Sequence, residues 1–205
     1  MLRLSLYKNS LAEVIHEALQ VLKNGGIVAY PTESFYGLGV MANDRTAVEH
    51  LYRLKKRPLE KAMPLIVGNT DVLNALVKSI PPQAEALIKK FWPCPLTLIF
   101  ESRGIQPQLS DGNRDRVAVR IPGESFALDL AKAADFPVTA TSANPSGEQP
   151  AQEPAEVIDY FGENIDLLVD GGKAPGGKPS TIVDVTVSVP KVLREGSILL
   201  NPESR

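Results

Sequence analysis

Prolines fence this chain into short pieces. Seventeen of them are spread through 205 residues and, apart from Pro81-Pro82, they recur singly at the edges of apolar runs. A proline cannot donate to a sheet ladder and breaks a helix interior, so each one limits the element beside it. Their share exceeds the usual level of about 5%, yet they form no low-complexity tract. The pattern implies many sharply set loops around a packed scaffold, which is where binding sites are commonly built.

Between these fences two periodicities alternate. Residues 10–23 place Leu11, Val14, Ile15, Ala18, Leu19 and Leu22 at helical spacing, opened by a Ser10–Glu13 capping box and stopped by Gly25-Gly26. A second helix is expected from Asp44 through Leu54, ending before Pro58. Further helices fall within residues 70–78, 82–91, 125–134 and 154–161. Short apolar runs at 27–30, 65–67, 96–100, 116–121, 138–141, 167–170, 181–185 and 192–195 read as strands. The expected fold class is α/β (or α+β): one layered domain over residues 1–205, a twisted mixed β-sheet with helices packed on it.

Charge narrows the function classes. Lys and Arg number 22 against 24 Asp and Glu, so any anion site must be a local cluster on a chain of net charge −2. A lone cysteine, Cys94, excludes a disulfide framework within the chain. No apolar run approaches the roughly 18 residues of a membrane span, and the opening MLRLSLYKNS lacks a signal-peptide core. The expectation is a soluble, cytoplasmic domain.

The densest charge feature holds Arg53, Lys55, Lys56, Arg57 and Lys61, spanning the exit of the second helix. It fits a solvated helix end opposing the macrodipole. It also fits a polyphosphate site, because Pro58 and Pro64 stiffen the loop. Strand periodicity puts Arg116, Ala118 and Arg120 on one face and Val117, Val119 and Ile121 on the other, leaving room for an anion between two guanidinium groups. Residues 31–39 (PTESFYGLG), 141–147 (TSANPSG) and 176–181 (GGKPST) combine hydroxyl, amide and glycine groups that let a ligand approach closely. These are also ordinary turn residues. There is no GxxxxGK[ST] loop and no GxGxxG fingerprint. His16 and His50 lie on predicted helices, and Cys94 sits between two prolines in an apolar setting, so no nucleophile–histidine arrangement is expected. Catalysis would rest on positioning and charge neutralisation.

Seven segments occur in a recognisable order: PTESFYGLG, KKRP followed by MPLIV, FWPCPLTLI, VAVRIP, TATSANPSGE, GGKPSTIVD and VLREG. In these, over about residues 10–200, the chain resembles the YrdC-like family, whose K-x-R and S-x-N signature is matched by Lys55, Arg57, Ser142 and Asn144. The resemblance implies a nucleotidyltransferase that makes threonylcarbamoyl-adenylate and diphosphate from L-threonine, bicarbonate and ATP. It implies Mg²⁺ bridging the phosphates, and partner proteins that pass the threonylcarbamoyl group to adenosine beside the tRNA anticodon. It assigns Lys55, Arg57, Ser142 and Asn144 to catalysis. Thr32, Arg120, Ser142 and Ser180 become threonine contacts, and Lys55, Arg57, Lys61, Arg116, Ala140, Asn144, Pro150 and Arg194 nucleotide contacts. Metal ligands are not assigned. The chain differs from its relatives at Gly68, where several carry histidine, and at Cys94, where glycine is usual. The resemblance is to the short, single-domain form of the family. The competing expectation is a non-catalytic module for double-stranded RNA or tRNA, with residues 53–61 and 114–120 forming a continuous basic surface.

Overall fold

Helix α1 (Leu11–Lys23) begins as its sequence dictates: Ser10 caps the Glu13 N–H while the Glu13 carboxylate accepts from the Ser10 N–H. Its buried stripe of Val14, Ala18 and Leu22 packs with α5 (Phe126–Ala133) on one side of a sheet. The computed structural model describes residues 1–110 and 115–200. The remaining helices are α2 (Arg45–Leu54), α3 (Thr70–Leu76), α4 (Pro82–Phe91) and α6 (Pro154–Phe161). Both α4 and α6 start on prolines, which lack the N–H that a first helical turn would leave unpaired. No helix among the described residues is long and apolar enough to cross a membrane.

The fold class is the expected mixed α/β, but the described strands form two sheets where one was expected. The first runs in the order β1 (Leu2–Ser5), β9 (Leu167–Asp170), β2 (Val28–Pro31), β3 (Tyr36–Gly39), β8 (Thr141–Ser142). The second runs β11 (Lys191–Arg194), β10 (Thr181–Asp184), β5 (Leu96–Glu101), β6 (Arg116–Arg120), β4 (Leu65–Ile66), β7 (Val138–Thr139). Each mixes parallel and antiparallel pairs. In β2, Val28 and Tyr30 face the α1–α5 side while Ala29 faces the opposite core, so this strand is buried on both faces. That explains its continuous apolar run.

The predicted strand at 138–141 is where the sheets meet. Val138–Thr139 pairs with β4, and after Ala140 the chain joins β3 of the other sheet as Thr141–Ser142. The Ala140 N–H, between the two, donates to Pro64 O at 2.7 Å. Beyond β3 the chain stays close, since Thr139 N donates to Val40 O at 3.0 Å and Val40 N to Thr139 Oγ1 at 3.0 Å. Gly39 lacks a side chain for a physical reason: a Cβ there would lie 2.8 Å from Val138 Cγ1 and 3.0 Å from Thr139 O.

A tighter approach occurs at Gly68. A Cβ would stand 2.2 Å from the Ala131 carbonyl oxygen and 2.4 Å from Lys132 Cα, so α5 lies with its backbone against this glycine. The opposing atoms are main chain, and only movement of the helix could relieve the overlap. Gly68→Ala should therefore lose roughly 1–3 kcal/mol or more of stability. Thermal unfolding should show this as a fall of several degrees for a domain this size.

Candidate active site

The end of α2 sets up the K-x-R segment. Lys56 N donates to Arg53 O and Arg57 N to Tyr52 O, both at 3.0 Å, and Lys56 takes φ 50. This is a Schellman ending with lysine where glycine usually sits. On one side of it Lys55 turns into the interior, 2% exposed; on the other, Arg57 lines a cavity.

Lys55 Nζ donates to Ser142 O and Asn144 O, each at 2.5 Å, and Lys55 O accepts from Ser146 N at 2.8 Å. Side chain and main chain thus grip the same loop. Burial, and secondarily the Arg57 charge, push the Lys55 pKa down to about 7. Asn144 is also buried: its Oδ1 accepts from Ser142 Oγ at 2.5 Å and its Nδ2 donates to Pro145 O and Glu148 O. Arg57 donates from Nε to Lys61 O at 2.9 Å and from Nη2 to Ala62 O at 2.8 Å.

The cavity, about 400 Å³, opens along the junction of the two sheets. The first sheet's side supplies Thr32, Ser34, Gly37 and Ser142; the second supplies Ile66, Thr97, Arg120 and Arg194. Pro150 and Ser180 close its flanks. Its charged residues are Arg57, Arg120 and Arg194, and no carboxylate lines it among the described residues. Arg194 is fastened to Ser180 O at 2.7 Å and Ser180 Oγ at 3.0 Å, and Ser180 Oγ lies 3.0 Å from Thr97 Oγ1. Burial and then the nearby Arg120 charge lower the Arg194 pKa. Thr32 Oγ1 donates to Phe35 O at 2.7 Å and accepts from Ser34 N at 3.1 Å. Three guanidinium groups among neutral hydroxyls make a receptor for a polyanion joined to a small polar molecule.

Of the residues singled out in the sequence, Thr32, Arg57, Arg120, Ala140, Ser142, Pro150, Ser180 and Arg194 line this one cavity. Lys55 and Asn144 stand behind it. Lys61 does not line it; its side chain is exposed while its carbonyl anchors Arg57 and the Tyr52 hydroxyl. Arg116 does not reach it either. The strand does put Arg116 and Arg120 on one face, but residues four apart along a strand lie about 13 Å apart. Arg116 pairs with Asp184 at 2.9 Å and Arg120 with Glu33 at 2.5 Å, so the expected anion gap over Ala118 is not formed. These pairs, with Lys55 buried, also break the continuous basic surface that an RNA-binding module needs; Arg114 lies outside the described residues. His16 and His50 are exposed on their helices, and burial raises the Cys94 thiol to about 11, in keeping with a packing role. Ser34 and Glu33 lie in the polar segment 31–39 but carry no assigned role in the sequence reading, and Thr97 is not singled out. Thr97 had a signal, a lone hydroxyl inside the apolar run LTLIF.

The Sua5/YciO/YrdC family model, described as telomere recombination, matches residues 20–196. A threonylcarbamoyl-AMP synthase of Pyrococcus abyssi is 37% identical over 186 residues, covering 91% of this chain and 55% of that protein. One from Klebsiella pneumoniae is 34% identical, covering 92% of this chain and 98% of its own length. The crystal structure of P. abyssi Sua5 complexed with L-threonine superposes with a TM-score of 0.87 at 34% identity, over 95% of this chain and 57% of that one. The chain thus spans about half the length of the P. abyssi proteins it matches.

The Lys55 ammonium makes stability depend on pH in a definite direction. Its folded pKa, about 7, lies below the ordinary 10.5, so above pH 7 the unfolded chain holds a proton that the native one has released. Stability should then rise with pH, by up to about 1 kcal/mol per unit between roughly pH 7 and 9. Urea unfolding across this window checks it, and Lys55→Met should remove the rise.

Proposed function

The chain belongs to the Sua5/YciO/YrdC family, and we propose that it makes L-threonylcarbamoyl-adenylate and diphosphate from L-threonine, bicarbonate or carbon dioxide, and ATP. One observation carries this reading: a single cavity joins three arginines to the hydroxyls of Thr32, Ser142 and Ser180, with no carboxylate among the residues that line it. A triphosphate needs the first group, and a small hydroxy amino acid needs the second.

In the proposed reaction the threonine amine adds to carbon dioxide, releasing a proton and leaving a carbamate. A carbamate oxygen then attacks the α-phosphorus of ATP, and the bond to the β-phosphate oxygen breaks to release diphosphate. Arg57 and Arg194 would offset charge on the departing phosphates, with Ala140 and Pro150 bordering the nucleotide. Arg120, Thr32, Ser142 and Ser180 would hold threonine. Lys55 and Asn144 act from behind, by holding the loop that carries Ser142. Among the described residues no group of three His, Cys, Asp or Glu could hold a metal ion. Mg²⁺ belongs to this proposal as part of the Mg·ATP substrate, where phosphate oxygens and water satisfy it. The product would pass, in the cytoplasm, to proteins that transfer the threonylcarbamoyl group to tRNA.

Incubation with ATP, bicarbonate and each of threonine, serine and glycine should give a threonine-dependent acyl-adenylate by mass spectrometry. No adenylate with any of the three would sink the reading. Ser142→Ala should weaken threonine by roughly 1–3 kcal/mol, about five- to 150-fold. Asn144→Ala, which frees the Ser142 hydroxyl and the loop leading to Pro150, should raise the KM for both threonine and ATP, and steady-state kinetics varying each substrate in turn would separate this from the threonine effect of Ser142→Ala.

A further inference from the structure

Among the described residues, Arg120 is the cavity arginine that a carboxylate holds. Arg57 is tied to main-chain carbonyls and Arg194 to Ser180, whereas Arg120 Nη1 donates to Glu33 Oε1 at 2.5 Å. The Arg120 and Glu33 side chains are only 12% and 13% exposed. Glu33 is not a lining residue, although Thr32 and Ser34 on either side of it are. Its stem packs on Gly123, where a Cβ would sit 3.4 Å from Glu33 Cγ. The carboxylate therefore stands outside the cavity wall that Arg120 forms.

The pairing is one-sided on both partners. Glu33 Oε2 is buried and has no hydrogen-bond partner among the described residues. A bridge selected for stability alone would use both oxygens, since an unpaired buried acceptor is costly. On the arginine, Nη1 is committed while the Nε and Nη2 groups have no acceptor among the described residues. That edge carries two parallel N–H bonds at the spacing of a carboxylate's oxygens. A guanidinium anchored only by its flexible stem would present any edge; one held at Nη1 presents a chosen one.

We propose that Glu33 is a positioning residue that turns the Nε–Nη2 edge of Arg120 into the cavity, making the site selective for an amino acid with a free carboxylate. This rests on reading Arg120 as an amino-acid contact. The group recognised is the carboxylate, not the side chain of the substrate.

The test is calorimetric titration of the full chain with L-threonine, with L-threoninol (the carboxylate replaced by hydroxymethyl) and with ATP. Wild type should prefer threonine over threoninol at least about tenfold, and Glu33→Ala should cut that preference by about tenfold while changing ATP affinity less than about twofold. Glu33→Gln keeps the shape and an acceptor oxygen and should retain part of the preference. It also carries the test alone if the alanine variant fails to fold. An unchanged preference in the variants overturns the positioning role with the amino-acid site intact, as does a parallel loss of threonine and ATP binding. Wild type that binds ATP but not threonine overturns the reading of Arg120 itself, and the proposal with it.

Discussion

Lys55 carries an ammonium group into the interior and satisfies it with two main-chain carbonyls, Ser142 O and Asn144 O. Among the described residues no carboxylate pairs with it, and removing such a charge from water costs several kcal/mol. The arrangement persists because it fastens α2 to the end of β8, where Ser142 sits, and to the following loop that runs on to Pro150 at the cavity flank. The same residue accepts from Ser146 N, so helix and loop are joined at both main chain and side chain. Without this tie the K-x-R and S-x-N segments would be two independent surface turns. With it they are one wall.

The rest of the site follows from where the sheets meet. Ala140 lies between a residue pair bound to β4 and a residue pair bound to β3, so one short segment belongs to both sheets. Ligand-facing groups from either sheet are then set by rigid ladders, and loops only complete the enclosure. Cations come mainly from the six-stranded sheet and the α2 exit, hydroxyls mainly from the other side.

Local signals were legible in the sequence and distant ones were not. The Ser10 capping box, the Pro154 start of α6 and the alternating faces of β6 depend on neighbours within a few residues, and all stand as expected. The sequence of strand β3 reads as loop because Gly37 and Gly39 hide its pattern; their purpose is contact with Tyr30, Val138 and Thr139, supplied by other segments. Strand β1 is four residues at a sheet edge, too short for a period to register. The polar loops revealed their chemistry through composition. Which arginine faces the cavity depended on carboxylates 87 and 68 residues away, Glu33 and Asp184, and nothing local to β6 signals either.

Gly68 couples the chain after β4 to the main chain of α5. With the α5 main chain resting on its Cα, a side chain at this position can be admitted only if the helix shifts. A helix withdrawn far enough to admit a side chain would leave a cavity around the glycine. The seat of α5 and the missing side chain at Gly68 are thus coupled: changing either alone is unfavourable, and only a joint change can compensate.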